Sequence, residues 1–442
     1  MQNATATLLV LGATAVVLTA ASPSASAATA VAGYALESAS GDTLRHTVES
    51  GDSLNRIASR YRERAGWYGQ ADCLAAIREA NGLATSNLLR PGQRLVIPVP
   101  AEPAPPRAAR PTRDGADLRG LYLPGALWGS RAVFARVDSF TLAGGNGVVF
   151  DAKDIDGGIN FPSATAAAIL GREPRGAVIP DLRMLIEKLH ERDLWVVARL
   201  ALFLDGRLGR DRPDLALSAP DGSPWTERGC AWMDPALADV RAYNAGLALE
   251  LARAGVDEVQ IDYVRFPTNG WRGDWQGDLE TTAARRRAVI TGFVAALHDT
   301  LGGVGCRLSA DLFGIMAWDR TVDLALTGQH VPSLALHLDV ICPMIYPSHF
   351  GPGFAGLANP GDHPAAIVAE GIARFREQAG PDLLIRPWLQ AFPWRVADYD
   401  RGYVSAQIAA AADAGAAGWC LWNPSGRYEV ARGALATAAA IP

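Results

Sequence analysis

Two aspartates carry the clearest chemical signal in this 442-residue chain. The run Glu258-Val259-Gln260-Ile261-Asp262 alternates polar and apolar side chains with the period of a β-strand. That alternation sets Glu258, Gln260 and Asp262 on one face. An ordinary core strand carries Val or Leu at such positions, because burying an unpaired carboxylate is costly. A second strand-like run, Ser309-Ala310-Asp311-Leu312-Phe313, also places an aspartate near its end. If the two strands are neighbours, about 4.8 Å apart, the carboxyls come within roughly 5–9 Å of each other. That span covers both arrangements that cleave glycosidic bonds, about 5 Å for retention and roughly 6.5–9.5 Å for inversion. One carboxyl must then be protonated to donate to the leaving oxygen, and the other ionised to attack or to activate water. Mutual repulsion and aromatic burial can separate their pKa values in this way.

Other polar residues gather at the ends of similar runs. Arg199 lies in an apolar segment and needs a carboxylate partner, which Asp151 or Asp262 can supply. A purely structural buried pair is the competing reading. In Asp151-Ala152-Lys153-Asp154, strict alternation predicts Asp151 and Lys153 on one face, with Lys153 and Asp154 at a rim. Lys153 stands out because only Lys153 and Lys188 among 41 basic residues are lysines. Arg265, Tyr346, His349, Trp388, Gln390 and Trp422 close further runs, and Trp225 and Trp232 precede the fourth. Indole rings stack on the apolar C–H faces of sugars. The expected substrate-binding set is Asp151, Lys153, Asp154, Arg199, Trp232, Arg265, Tyr346, His349, Trp388, Gln390 and Trp422.

These positions need a frame that brings eight strand ends together. Strand patterns fall at 119–124, 147–151, 194–203, 258–266, 307–313, 340–346, 383–391 and 418–423. Helical patterns fall between them at 180–192, 235–254, 278–301, 364–380 and 404–414, with Pro180 in a first turn and Asp234 as an N-cap. Eight alternations over about 320 residues predict an α/β fold, a (β/α)₈ barrel whose site lies at the C-terminal strand ends. An open doubly wound sheet would show a glycine-rich phosphate turn after its first strand. Here the chain reads Pro124-Gly125-Ala126-Leu127-Trp128 instead.

The N-terminal quarter is built differently. Residues 8–21 form an apolar run, and Ala25-Ser26-Ala27 fits a small-x-small cleavage site, so residues 1–27 read as a secretory signal. The run is shorter than the about 20 residues of a membrane span, so no stable insertion is expected after cleavage. An exported protein is expected, in the periplasm, the cell wall or outside the cell. Residues 28–45 are rich in small residues and read as disordered, and 99–117 as a Pro/Ala linker that would hold its neighbours apart. The net charge of −5 argues against nucleic acid as a partner. The five cysteines form no CxxC pair, and Cys306, Cys342 and Cys420 read as buried thiols.

Between these segments, residues 46–98 form a compact unit. His46-Thr47-Val48 reads as a strand, Asp52 as a helix cap, Asn81-Gly82 as a left-handed helix end, and 94–97 as a closing strand. His46 to Leu54, Ile57-Ala58, Ile77, Asn81-Gly82-Leu83 and Leu89 to Pro98 together resemble the LysM domain over its whole length. The resemblance implies a small βααβ module that binds N-acetylglucosamine-containing glycans, such as peptidoglycan. Its groove would map to Gly51, Asp52, Ser53, Leu54, Asn81, Gly82 and Leu83. Trp67 and Tyr68, in a longer inter-helix stretch, could stack on a sugar or pack inside.

Residues 118–442 resemble a family of bacterial glycoside hydrolase domains. The resemblance is carried by Gly120-Leu121-Tyr122, by 150–157, by Ala198-Arg199-Leu200, by Trp225, by Trp232-Met233-Asp234-Pro235 and by 257–267. It implies a sugar-cleaving barrel grouped with the amylase-like enzymes, with a nucleophile at strand 4 and an acid/base at strand 5. Those positions are Asp262 and Asp311, although amylase-type barrels carry Glu at the second. A second resemblance, to chitinase-type barrels, rests on Met344-Ile345-Tyr346 and 418–422. Glu258-x-Gln260-x-Asp262 departs from their DxDxE motif, which argues against acetamido-assisted catalysis. The expected function is hydrolysis of a cell-envelope or extracellular polysaccharide, with no cofactor and no metal. A degenerate barrel that binds glycan without turnover is the alternative, favoured if the carboxyls stand more than about 10 Å apart or the mouth is closed. A metal-dependent deacetylase or peptidase finds no HxH or HExxH pair among the seven histidines.

Overall fold

The computed structural model describes residues 38–39, 43–83, 88–100, 115–172, 177–275 and 277–438. Residues 1–27, expected as a secretory signal, and most of the expected Pro/Ala linker lie outside the described residues. Among these residues no helix is long and apolar enough to cross a membrane.

The N-terminal unit is a three-stranded antiparallel sheet, β1 (Ser38–Ala39), β2 (Thr43–Thr47) and β3 (Arg94–Pro98), with helices Leu54–Tyr61 and Gln70–Ala80. Leu54, Ile57, Ala58, Ile77, Leu95 and Ile97 form its core. Ser53, not Asp52, caps the first helix, accepting from the Arg56 N–H. Asp52 is held elsewhere, accepting from the Glu49 N–H and lying 2.9 Å from His46 Nε2. Gly82 takes the left-handed conformation at the end of the second helix (φ +62°), as its position predicts.

Eight parallel staves close the second unit, as expected: β4 (Leu118–Leu123), β5 (Gly147–Lys153), β6 (Trp195–Ala201), then, beyond the hairpin β7 (Thr226–Glu227) and β8 (Cys230–Ala231), β9 (Glu258–Asp262), β10 (Arg307–Phe313), β11 (Val340–Met344), the pair β12 (Leu384–Ile385) and β13 (Trp388–Gln390), and β14 (Gly418–Trp422). β14 pairs with β4, and β10 with both β9 and β11, so the ring has no free edge. Closure requires glycine at position 418 (φ +78°), where a Cβ would lie 2.1 Å from the Leu118 carbonyl oxygen. The seventh stave, expected as one strand, is broken at Arg386-Pro387, because Pro387 has no N–H for the ladder. The helix expected from Pro235 begins at Ala238, and Asp234 caps only a turn, accepting from the Ala236 N–H. Asp181 rather than Pro180 starts the helix Leu182–His190.

Polar and apolar layers fill the interior. Near the base Glu258 binds Arg386 and accepts from Trp195 Nε1. Leu118, Val149, Val197, Val340, Cys342 and Cys420 form the apolar plug. All five thiols are free and buried, as expected for Cys306, Cys342 and Cys420.

The two units touch. Tyr68 packs in the barrel's core cluster, edge-on to Phe134 with ring centroids 5.3 Å apart, and its hydroxyl donates to the Trp128 carbonyl at 2.6 Å. Asp72 accepts from Ser130 Oγ and from the Arg131 N–H. Trp67 donates to the Pro98 carbonyl, with the Arg131 guanidinium over its ring. Of the two readings for Trp67 and Tyr68, packing is therefore what is found. The module lies against the barrel through these contacts.

Candidate active site

The C-terminal ends of the staves surround an open cavity of about 620 Å³. Asp262, Asp311, Arg199, Arg265, Tyr346, His349, Trp388 and Trp422 all line it. β9 brings Asp262 to the mouth with Glu258 and Gln260 below it on the same interior face, all buried. The next residue, Tyr263, is left-handed (φ +51°), an uncommon state for a bulky residue. This conformation ends β9 and lets Asp262 Oδ1 accept from the Tyr263 N–H at 2.6 Å.

Arg199 organises the site. Its Nη2 donates to Asp262 Oδ2 at 2.6 Å and its Nε to the same oxygen at 3.1 Å. Its Nη1 donates to Asp151 Oδ1 at 2.5 Å, and Asp151 Oδ2 accepts from the Tyr122 hydroxyl. Both partners named from sequence are therefore used. Arg199 Nε also lies 3.7 Å from Asp311 Oδ2. Laid end to end, the two Nε distances cap the separation of the nearest Asp262 and Asp311 oxygens at about 7 Å, inside the span over which paired carboxyls cleave glycosides.

The two aspartates differ in environment. Asp311 is almost fully buried and its Oδ1 accepts from Trp388 Nε1 at 2.6 Å. Burial, reinforced by the charge of Asp262, pushes its carboxyl well above the ordinary range, against the pull of Arg199. Asp262 accepts from three N–H groups, two on the Arg199 guanidinium and one on the Tyr263 backbone. The pair thus sets a carboxyl that holds its proton tightly beside one engaged by a guanidinium. Tyr346 stands near both: burial and then the charges of Asp311 and Asp262 push its phenol far up, so it remains a neutral donor. Trp422 stacks on Tyr122 with centroids 4.1 Å apart and lies under Arg199, while keeping some exposure to the cavity. Burial holds the His349 imidazole below its ordinary value, so it faces the cavity as a neutral ring.

Several expected contacts fall elsewhere. Lys153 does not share a face with Asp151, because the β5–β6 register shifts between them and Ala152 is skipped. Its ammonium points outward, fully buried, to Asp205, the Leu202 carbonyl and Asn244. Asp151 lies behind Arg199 rather than on the cavity wall, and Asp154 sits half-exposed at the rim, 3.9 Å from Arg199. Trp232 and Gln390 are wholly buried: Trp232 donates to Glu227, and Gln390 donates to the Phe392 and Trp394 carbonyls. These two shape the wall and do not line it. The cavity also includes Glu227, Arg228 and Tyr263, which the strand-end reading missed. The first two ride on the β7–β8 hairpin, and no strand-length pattern marks four residues. Among the described residues no three His, Cys, Asp or Glu side chains converge as metal ligands.

In the N-terminal module, Gly82 and Leu83 border a shallow groove with Arg78 and Glu79. Gly51 is exposed and Ser53 partly so. Leu54 is core, Asp52 is held by His46, and Asn81 ties the second helix to β3, accepting from the Val96 N–H. The side chains of these last three are therefore committed internally.

A closed parallel barrel with two neighbouring carboxyls and aromatic walls at its C-terminal mouth is the frame of a glycosidase-type barrel. Residues 120–428 match the DUF4015 family, described as "putative glycosyl hydrolase domain", and 46–98 match the LysM domain. The chain belongs to that glycosyl hydrolase family and carries a LysM domain ahead of the barrel. Among solved structures it is similar to the PgaB (BpsB) glycoside hydrolase domain of Bordetella bronchiseptica, at 15% identity and a TM-score of 0.54, covering 70% of this chain and 94% of that one. It is also similar to a β-galactosidase from the psychrophilic Marinomonas ef1, at 12% identity and 0.51, covering 73% and 59%. At such identities the likeness is one of fold. No curated protein matches by sequence.

Proposed function

We propose that this protein is exported and hydrolyses a cell-envelope polysaccharide, with its LysM module holding an N-acetylglucosamine-containing glycan such as peptidoglycan. Asp311 donates its proton to the glycosidic oxygen as the bond to the anomeric carbon breaks. Asp262 attacks that carbon and forms a glycosyl ester. Water, deprotonated by Asp311, then releases the sugar and restores both groups. Arg199 orients Asp262, and because Asp151 shares its charge, the pairing leaves Asp262 nucleophilic.

The observation that carries this reading is the placement of Asp262 and Asp311 on one open cavity, both within reach of Arg199. Export rests on the apolar run and the Ala25-Ser26-Ala27 site. The test uses the full mature chain and a panel of envelope and storage glycans, with products identified by mass spectrometry. Asp262→Asn should abolish reducing-sugar release while leaving the melting temperature nearly unchanged. Full activity in that variant refutes the assignment.

A further inference from the structure

Arg265 is a buried charge without a counter-ion. It is 4% exposed and lines the cavity. Aromatic rings surround it: Phe313 at 4.4 Å, Trp232 at 4.7 Å and Tyr263 at 5.3 Å from the guanidinium carbon. Its Nη1 donates to the Phe266 carbonyl, and its Nε has no partner. Among the described residues no carboxylate lies within 4.0 Å of it. A desolvated guanidinium with an unmet N–H is destabilising unless something supplies an anion.

A second cation faces the same space. Arg228 lines the cavity from the two-residue loop of the β7–β8 hairpin, where Arg228 (φ +52°) and Gly229 (φ +77°) both have positive φ. Asn, Asp or Gly is the usual first residue of such a loop. Arginine stands there instead, exposed and, among the described residues, without an ion-pair partner. Glu227 on the same hairpin is engaged by Trp232 Nε1 at 3.2 Å and forms an ion pair with neither arginine. Burial holds the Arg265 guanidinium below its ordinary value, and the charge of Arg228 adds to this, while Glu227 and Asp262 oppose it.

We propose that the cavity takes an acidic glycan, in which a sugar carboxylate is received by Arg265 and Arg228 beside the catalytic pair. The inference rests on reading the cavity as the substrate site and names the substrate class for it. Guanidinium groups bind carboxylates through paired N–H donors, and the aromatic packing around Arg265 fixes its plane before the ligand arrives.

The test measures calorimetric binding to the mature protein of two matched pairs, methyl glucuronide against methyl glucoside and N-acetylmuramate against N-acetylglucosamine. The acidic member of each pair should bind about tenfold tighter or more, with an affinity that falls as salt rises. Arg228→Ala, on an exposed hairpin, should reduce the preference to within about twofold, and Arg265→Lys should weaken it through loss of the fork. Equal binding of neutral and acidic partners, or a preference intact in Arg228→Ala, overturns the proposal. Asp262→Asn separates it from the catalytic reading: acid-selective binding without turnover in both this variant and the wild type would sink hydrolysis alone, whereas turnover of neutral glycans without charge preference would sink the substrate class alone.

Discussion

Arg199 Nη2 donates to Asp262 Oδ2 at 2.6 Å inside the barrel mouth, while Nη1 of the same guanidinium holds Asp151. One cation therefore serves two buried acids and lies beside a third, Asp311. Removing it leaves these carboxyls without a counter-charge in a region of low dielectric. Arg199→Met should lose about 3–5 kcal/mol of stability, because breaking a buried pair costs more than the pair contributes. Arg199→Lys keeps the charge but not the fork, so it should recover part of the stability and little of the turnover. Urea midpoints with an unchanged slope measure the first effect. A neutral outcome for Arg199→Met would mean that water already reaches the acids.

Asp311 makes a signed prediction about pH. Its folded-state carboxyl is raised above the ordinary 3.8 by burial and then by Asp262. The folded state holds this proton more tightly than the unfolded chain. Its contribution to stability is therefore complete below about pH 4 and is lost as pH rises through the raised value. Asp311→Asn cannot ionise, so its stability should gain on wild type as pH increases from 4 to 8, while activity drops about 10²–10⁴-fold. Wild-type kcat should fall on the alkaline side as the proton leaves. Parallel urea titrations at pH 5 and pH 8 provide the check, and an identical pH slope in the two proteins contradicts a buried neutral acid.

Tyr68 couples the module to the barrel through the Trp128 carbonyl and the Phe134 ring. Tyr68→Phe should cost about 1 kcal/mol by leaving that carbonyl unpaired. Tyr68→Ala should cost roughly 3–5 kcal/mol through the cavity it opens. Scanning calorimetry should show one transition for the wild type and two for Tyr68→Ala. A single unchanged transition in the alanine variant would show that the contact carries no coupling.

The barrel was legible because its signals are periodic. Alternation in β9 put Glu258, Gln260 and Asp262 inward, and the interior layers follow that pattern. The same rule failed at Lys153, where one skipped residue on β5 reverses the alternation and leaves no mark in composition. Gln390 reads as a contact because it closes a strand run, and Trp232 because it is an indole in the segment before the fourth, yet burial there depends on what the loops place over them. Glu227 and Arg228 were not found, since a hairpin of two-residue strands has no period to detect. Trp67 and Tyr68 were ambiguous in sequence because an aromatic pair serves stacking and docking equally well. Asp72 and the Trp128 carbonyl, which decide the matter, come from sequence-local and distant partners alike.

Carboxyl separation leads to a stereochemical prediction. Inversion requires a water between the base and the anomeric carbon, and so roughly 6.5–9.5 Å between carboxyls. The shared contact with Arg199 limits the nearest oxygens of Asp262 and Asp311 to about 7 Å, a span that includes the distance for direct attack. The first sugar released should therefore keep its anomeric configuration, as seen by proton NMR before mutarotation. A covalent intermediate also predicts that added methanol is glycosylated in competition with water. Asp262→Ala should be rescued by azide, which occupies the vacated space, attacks the anomeric carbon and yields a glycosyl azide of inverted configuration. An inverted product from the wild type, with no methyl glycoside, would make Asp262 a base rather than a nucleophile.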